Sequence, residues 1–400
     1  MSEGDGASEM RDEVRARLNL VMRGFGPVET SAPGFARSSA TTAWRFFVDR
    51  ESLPLSPVVK LIYLFLGCHD LGRAEKMDWE FVFQVEETTC SIASEKFGLR
   101  VYVDRDSVAD EVEAEKLFQR ILQATVKGQK VVEKELLEPI GKEQVNAGDV
   151  VVGNQYHRLR EAYLYFRDGA EIAFRGDGRV EVQRDADDAS NILRGALAEW
   201  RRQANADAEG WWNTFAMIMA YFSLLEHTLV GCLAFADFDP EEETVTGFIG
   251  LNWGDKFKRL FDLDADLVAQ KKYEALRDLA ETYRNTYGHG GFDKRGATVH
   301  FHVPGVGVIP ATLSKISKTP HFGLVPAVVE DYNRICAVLD DFDAWIAAGA
   351  YRNAIMWIEH GMDYAFDARS RAEVAANAGT FDAYLEAMSY RLDQAMNMDW

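Results

Sequence analysis

The run WWNTFAMIMAYFSLLEHTLVGCLAFADF, Trp211 to Phe238, decides the fold. It is largely apolar over more than the roughly 20 residues needed to cross a bilayer, yet Glu226 and His227 fall at its middle. Ionisable groups are costly at the centre of a membrane, whereas a helix enclosed by other helices can give them partners. The run is therefore read as a buried helix in a bundle or dimer interface, and no membrane span is expected.

Working outward, helical periodicity predicts an earlier helix over Asp187 to Gln203, one through Trp211 to Ala236, a short one near Asp255 to Phe261 and another from Asp266 to Tyr287. Gly288, Gly290 and Gly291 stop that last helix, as glycines beyond a helix end do. A β-hairpin excursion follows, Ala297 to Val303 and Val306 to Ile309 around Pro304-Gly305, before helix returns over Val325 to Ala347. Short links between four main helices predict an up-and-down bundle spanning residues 186–348. Two further amphipathic stretches make residues 349–400 a C-terminal helical extension.

Toward the N-terminus the period changes. Trp79, Phe81, Phe83 and Val85 alternate with Glu80, Val82, Gln84 and Glu86, and Leu99, Val101 and Val103 repeat the pattern, so a small antiparallel sheet is expected. Helices are predicted at Pro57 to Cys68, Ala109 to Val126 and Tyr156 to Phe166, and a hairpin over Ile172 to Val182 through Gly176-Asp177-Gly178. Residues 42–185 thus read as a mixed α/β domain, a candidate sensor or regulator, and residues 1–41 as a weakly ordered arm. The predicted class is α+β.

With 400 residues and a formal charge of -20, the chain is long enough for more than one domain and too acidic to coat nucleic acid non-specifically. Residues 251–300 are close to neutral, which leaves room to engage one phosphate at a time. Cys68, Cys90, Cys232 and Cys336 have no zinc-knuckle or redox spacing and suit a reducing cytoplasm. Met1 to Met10 carries no signal peptide, so a cytoplasmic location is expected.

Candidate chemistry concentrates in Glu281-Thr-Tyr-Arg284-Asn285-Thr-Tyr-Gly-His289. Asn285 and His289 are four apart and share a helix face, while Arg284 lies about 140° from His289. Gly288 can unwind the last turn and bring the imidazole toward the guanidinium. A histidine moves protons near neutral pH, an arginine fork suits phosphate oxygens, and an asparagine orients. The trio fits RNA cleavage by attack of the neighbouring 2′-hydroxyl, a reaction that needs charge stabilisation at phosphorus but no metal or cofactor.

Arg284-Asn285-x3-His289, at the end of a long helix in a bundle, resembles the Arg-x4-His signature of the HEPN superfamily, and the resemblance covers roughly Asp187 to Ala347. It implies a metal-independent endoribonuclease of the kind found in antiviral, toxin–antitoxin and RNA-processing systems, acting on RNA as a homodimer through the helical domain. By the same resemblance Arg284 holds the scissile phosphate, Asn285 orients it, His289 transfers the proton, and Glu226 supplies the facing acidic group. Gly291 stands where the nucleotidyltransferase-paired branch carries tyrosine, which disfavours that subtype. The large N-terminal region implies a regulatory partner or trigger. The alternative is a non-catalytic HEPN-like dimerisation or partner-binding module.

Competing readings of individual residues are plainer. Arg284 could pair with Glu281 or another surface carboxylate, and His289 could cap the helix terminus. Arg352-Asn353 with His360 reads as helix surface, His300 and His302 as exposed strand residues, Cys68-His69-Asp70 as a helix end, and Trp211 and Trp212 as packing anchors. No phosphate-binding glycine loop or HExxH pair is present.

Overall fold

The computed structural model describes residues 3–28, 34–37, 42–53, 55–176, 192–285, 298–305, 307–313, 320–321 and 329–398. They form an α+β protein that divides into two compact units, residues 1–146 with 386–400, and residues 147–385.

Unit 1 carries an antiparallel sheet whose path is β1-β4-β5-β6-β2, built from β1 (Phe25–Pro27), β2 (Ala43–Phe47), β4 (Met77–Val85), β5 (Thr88–Glu95) and β6 (Gly98–Asp104). A short strand β3 (His69–Asp70) pairs with Val82 and Phe81 of β4, while β1 pairs with Phe83 to Val85, so the two share one edge end to end. The expected alternation places Trp79, Phe81, Phe83 and Val85 in the core. Three helices cover that face: α1 (Glu3–Val21), α2 (Ser56–Phe65) and α3 (Glu111–Val132). Apolar spacing explains each: Val14, Leu18 and Met22 recur every four residues on α1, and Val58, Val59, Ile62 and Tyr63 form the buried stripe of α2. The weakly ordered arm predicted for residues 1–41 is therefore corrected over α1, whose apolar stripe is fully buried. A Cβ on Gly128 of α3 would come within 3.2 to 3.3 Å of Ile62, Met22 and Leu18, so glycine allows the three helices to close up there.

After α4 (Glu138–Ala147) and the short strand β7 (Val151–Val152), unit 2 is built on a helical hairpin, α5 (Tyr156–Phe174) against α6 (Ile192–Leu233). Phe174 meets Gly210, Gly169 meets Asn213, and Tyr163 meets Tyr221 at the turn-by-turn spacing of antiparallel helices. The small residues Gly169, Ala170, Ala173 and Gly210 let the backbones approach. At 42 residues α6 is about 63 Å long. The two helices expected on either side of residues 204–210 are thus one; Gly210 does not break it because the Phe174 ring occupies the place of its missing side chain. The hairpin predicted from Ile172 is also corrected: Ile172 to Phe174 continue α5, and Gly176, at φ +85°, ends the described run. Residues 177–182 lie outside the described residues. Because α5 packs along α6, it belongs with the helical unit, and the division falls at 146/147 instead of near Asp185.

Around this hairpin lie α7 (Val245–Gly250), α8 (Trp253–Leu260), α9 (Leu267–Leu279), α10 (Val329–Ala348) and α11 (Arg352–Glu359). Side chains cap three of their starts: Thr244, Asn252 and Asp266 accept backbone N–H groups. Arg167 of α5 makes a two-pronged bond to Asp340 of α10 at 2.6 and 2.7 Å, and Tyr221 donates to Asp343 at 2.7 Å. The expected hairpin is present as β8 (Thr298–Val303) and β9 (Gly307–Leu313), joined by β10 (Pro320–His321). Helix α6 is long and apolar enough to cross a membrane by length and composition, and 67% of its most apolar window is buried inside the protein. All four cysteines are buried and free.

Candidate active site

Arg284 ends a wide turn. After α9 the chain adopts π-helical hydrogen bonding over Ala280–Arg284, and such single turns occur often at functional sites. From there the Arg284 guanidinium donates to Oε1 of Glu226 at 3.1 Å and lies over the Phe222 ring, 5.2 Å from its centroid. Both partner residues sit on α6, one turn apart. The side chain of Arg284 is 28% exposed and that of Glu226 29%, so the pair is open to solvent on one side.

The second carboxylate oxygen of Glu226 accepts from Lys256 Nζ at 3.2 Å. Lys256 is almost wholly buried, and its ammonium also donates to the Leu251 carbonyl. One carboxylate thus lies between two cations, and the cluster carries one net positive charge on a face that solvent reaches. Sequence reading missed Lys256. The signal was available: Trp253, Lys256, Phe257 and Leu260 have the i, i+3, i+4, i+7 spacing of a buried stripe, with lysine at a position that normally holds an apolar residue.

Among the sequence-predicted residues, the structure brings Arg284 and Glu226 together and leaves Asn285 exposed beside them. His289 and Gly288 lie outside the described residues. The proposed Arg284–Glu281 pairing is not formed; Glu281 instead faces Arg277, 3.9 Å away on α9. Trp211 is buried against Tyr283 as a packing anchor, but Trp212 is 65% exposed, which corrects the reading of both as anchors. His302 is exposed, and among the described residues no group of three or more His, Cys, Asp or Glu is placed to hold a metal ion. Arg352 pairs with Asp382 at 3.3 Å on the helix surface, as its spacing suggested.

His227, next to Glu226, points elsewhere. Its Nε2 accepts the backbone N–H of Gln155 at 3.0 Å and lies 2.9 Å from the Tyr364 hydroxyl. Burial pushes its pKa below the ordinary histidine value. An imidazole whose Nε2 lone pair is already engaged is a structural tie and is not available for proton transfer.

No family model, no curated protein and no solved structure matches this chain.

Proposed function

We propose that the chain is a metal-independent endoribonuclease of HEPN type, working in the cytoplasm as a homodimer and serving as a defence or toxin-like effector whose trigger acts through unit 1. The observation that carries this reading is the meeting of Arg284 with Glu226 at an open helix end, with Asn285 exposed at the next position. A guanidinium fixed by a carboxylate on one side and an aromatic ring beneath keeps its remaining donors in a set direction, which suits a phosphodiester.

In the proposed reaction the ribose 2′-oxygen forms a bond to phosphorus as the bond to the 5′-oxygen breaks. His289 moves the proton, Arg284 offsets charge on the non-bridging oxygens, and the products carry 2′,3′-cyclic phosphate and 5′-hydroxyl ends. Glu226 is a positioning residue. The dimer is supported by α6 itself: Trp212, Met219 and Glu226 recur every seven residues, so they lie along one side of the helix, and Trp212 and Met219 are exposed.

The test is cleavage of total RNA by the wild type, Arg284→Ala and His289→Ala, each with and without EDTA. Both variants should lose cleavage while remaining folded, and EDTA should change nothing. Cleavage by His289→Ala at the wild-type rate would remove the proposal. The closed Arg284–Glu226 pair favours a second reading, a partner-binding module in which these charges only fasten α9 to α6. On that reading the wild type cuts no RNA and Arg284→Ala alters self-association alone.

A further inference from the structure

The sheet of unit 1 has a second face, and it is not an ordinary solvent face. Strand register aligns Val82, Ser91, Tyr102 and Arg45 in one row and Glu80, Ala93, Arg100 and Phe47 in the next. Glu80 is fully buried there. Leaving a carboxylate in such a place is costly unless it is compensated. Its Oε1 accepts from Ser91 Oγ and from the backbone N–H of Ala36, each at 2.9 Å, while Oε2 has no hydrogen bond and lies 3.7 Å from Arg37 Nε. Residues 34–37 are therefore latched onto the sheet through a buried charge. Arg37 tightens the latch by donating to the carbonyls of Leu71 at 2.6 Å and Gly72 at 2.8 Å.

Between this latch and the sheet is a cavity of about 490 Å³ lined on one side by Phe35, Ala36 and Arg37 and on the other by Ala43, Arg45, Met77 and Tyr102. That volume is in the range of small-molecule sites, which combine apolar walls with a few convergent polar groups. The charges in the wall are unequally spent. Glu95 gives one oxygen to the Tyr102 hydroxyl and the other to Arg45. Each guanidinium has five N–H donors, and Arg45 commits one nitrogen to Glu95 while its side chain stays 45% exposed. Glu75 and Lys76, also in the lining, carry opposite charges.

We propose that this cavity binds a small organic anion, its carboxylate or phosphate held by Arg37 and Arg45 and its apolar body resting on Ala43, Met77 and Phe35. Both oxygens of Glu95 are already engaged, while Arg45 keeps guanidinium donors in surplus, so an anion gains bonds there. This site is independent of the Arg284 reading and stands or falls without it.

Titration calorimetry on the full chain tests it with benzoate, phenyl phosphate and the neutral isostere benzamide as probes. At least one anion should bind and benzamide should not, and the stronger anion identifies a carboxylate or a phosphate ester as the group recognised. Arg45→Met should weaken binding by about tenfold or more, since a charge-assisted hydrogen bond is lost, and Arg45→Lys should restore part of it. Ala74→Phe, which fills the cavity without changing charge, should abolish binding and controls for any folding defect in the charge variant. The proposal is overturned if no probe binds, if benzamide binds as well as the anions, or if Ala74→Phe binds like the wild type.

Discussion

Replacing Glu226 by Gln tests the three-residue cluster as a structural unit. Lys256 is 2% exposed, so its ammonium depends on Glu226 Oε2 at 3.2 Å and on the Leu251 carbonyl. Coulomb attraction at that separation is about 5 kcal/mol for an effective dielectric near 20. Glutamine keeps an oxygen acceptor and loses the charge, so roughly half of that is forfeited, about 2–3 kcal/mol. Arg284, more than a quarter exposed, regains water and adds at most about 0.5 kcal/mol. With a urea m-value of about 2 kcal/mol per molar, the midpoint should fall by about 1 M or slightly more. Tryptophan fluorescence reports on unit 2, where most tryptophans lie. In a Lys256→Met background, where the buried stem is kept and the charge is gone, the same change should cost less than about 1 kcal/mol. Equal losses in both backgrounds, or a loss under about 0.5 kcal/mol in the first, would refute the argument that Glu226 compensates a buried ammonium.

Three other outcomes follow from single contacts. His227 is held neutral, with its pKa depressed by burial, so the unfolded chain takes up its proton first as pH falls. The contribution of His227 to unit 2 should be complete above about pH 6.5 and decline below it by up to about 1.4 kcal/mol per pH unit; because buried Asp343, raised to about 6, shifts stability the opposite way, the readout is the difference between wild type and His227→Asn in urea titrations run from pH 7 to 5. On α6, Gly231→Ala sets a Cβ at 2.6 Å from the Ile358 side chain, and overpacking of about 1–3 kcal/mol should exceed the helix-propensity gain of about 1 kcal/mol, lowering the urea midpoint; an increase would show that α11 yields without cost. Trp212→Ala should change the unfolding free energy by less than about 0.5 kcal/mol and weaken self-association tenfold or more by sedimentation, and a wild type that sediments only as a monomer would remove the proposed dimer face.

Much of the architecture could be read from patterning. The β4 alternation, the Pro57 helix start, the Asp266 cap and the β8–β9 hairpin all follow from local residue chemistry, and the structure has them. What was not legible depended on distant partners. Glu80 reads as a solvent-facing strand residue until residues 34–37 are folded over it. The break expected between Gln203 and Trp211 does not occur, and the Phe174 ring fills the gap at Gly210. At the candidate site the Arg284–Glu226 meeting was legible as residue types, but its geometry was not. The wide turn over Ala280–Arg284 inserts extra backbone, so Arg284 does not stand where a regular α-helix continued from α9 would put it.

The four sequestered thiols give each half of the molecule its own clock. Cys68 and Cys90 belong to the first unit, Cys232 and Cys336 to the second, and burial pushes every one of these thiols up, to about 12 for the first two. A thiol that is both shielded and protonated reacts with an alkylating reagent only when its surroundings open. Mass-resolved labelling over time therefore reads the opening rates of the two halves separately in one unaltered chain, without an engineered probe.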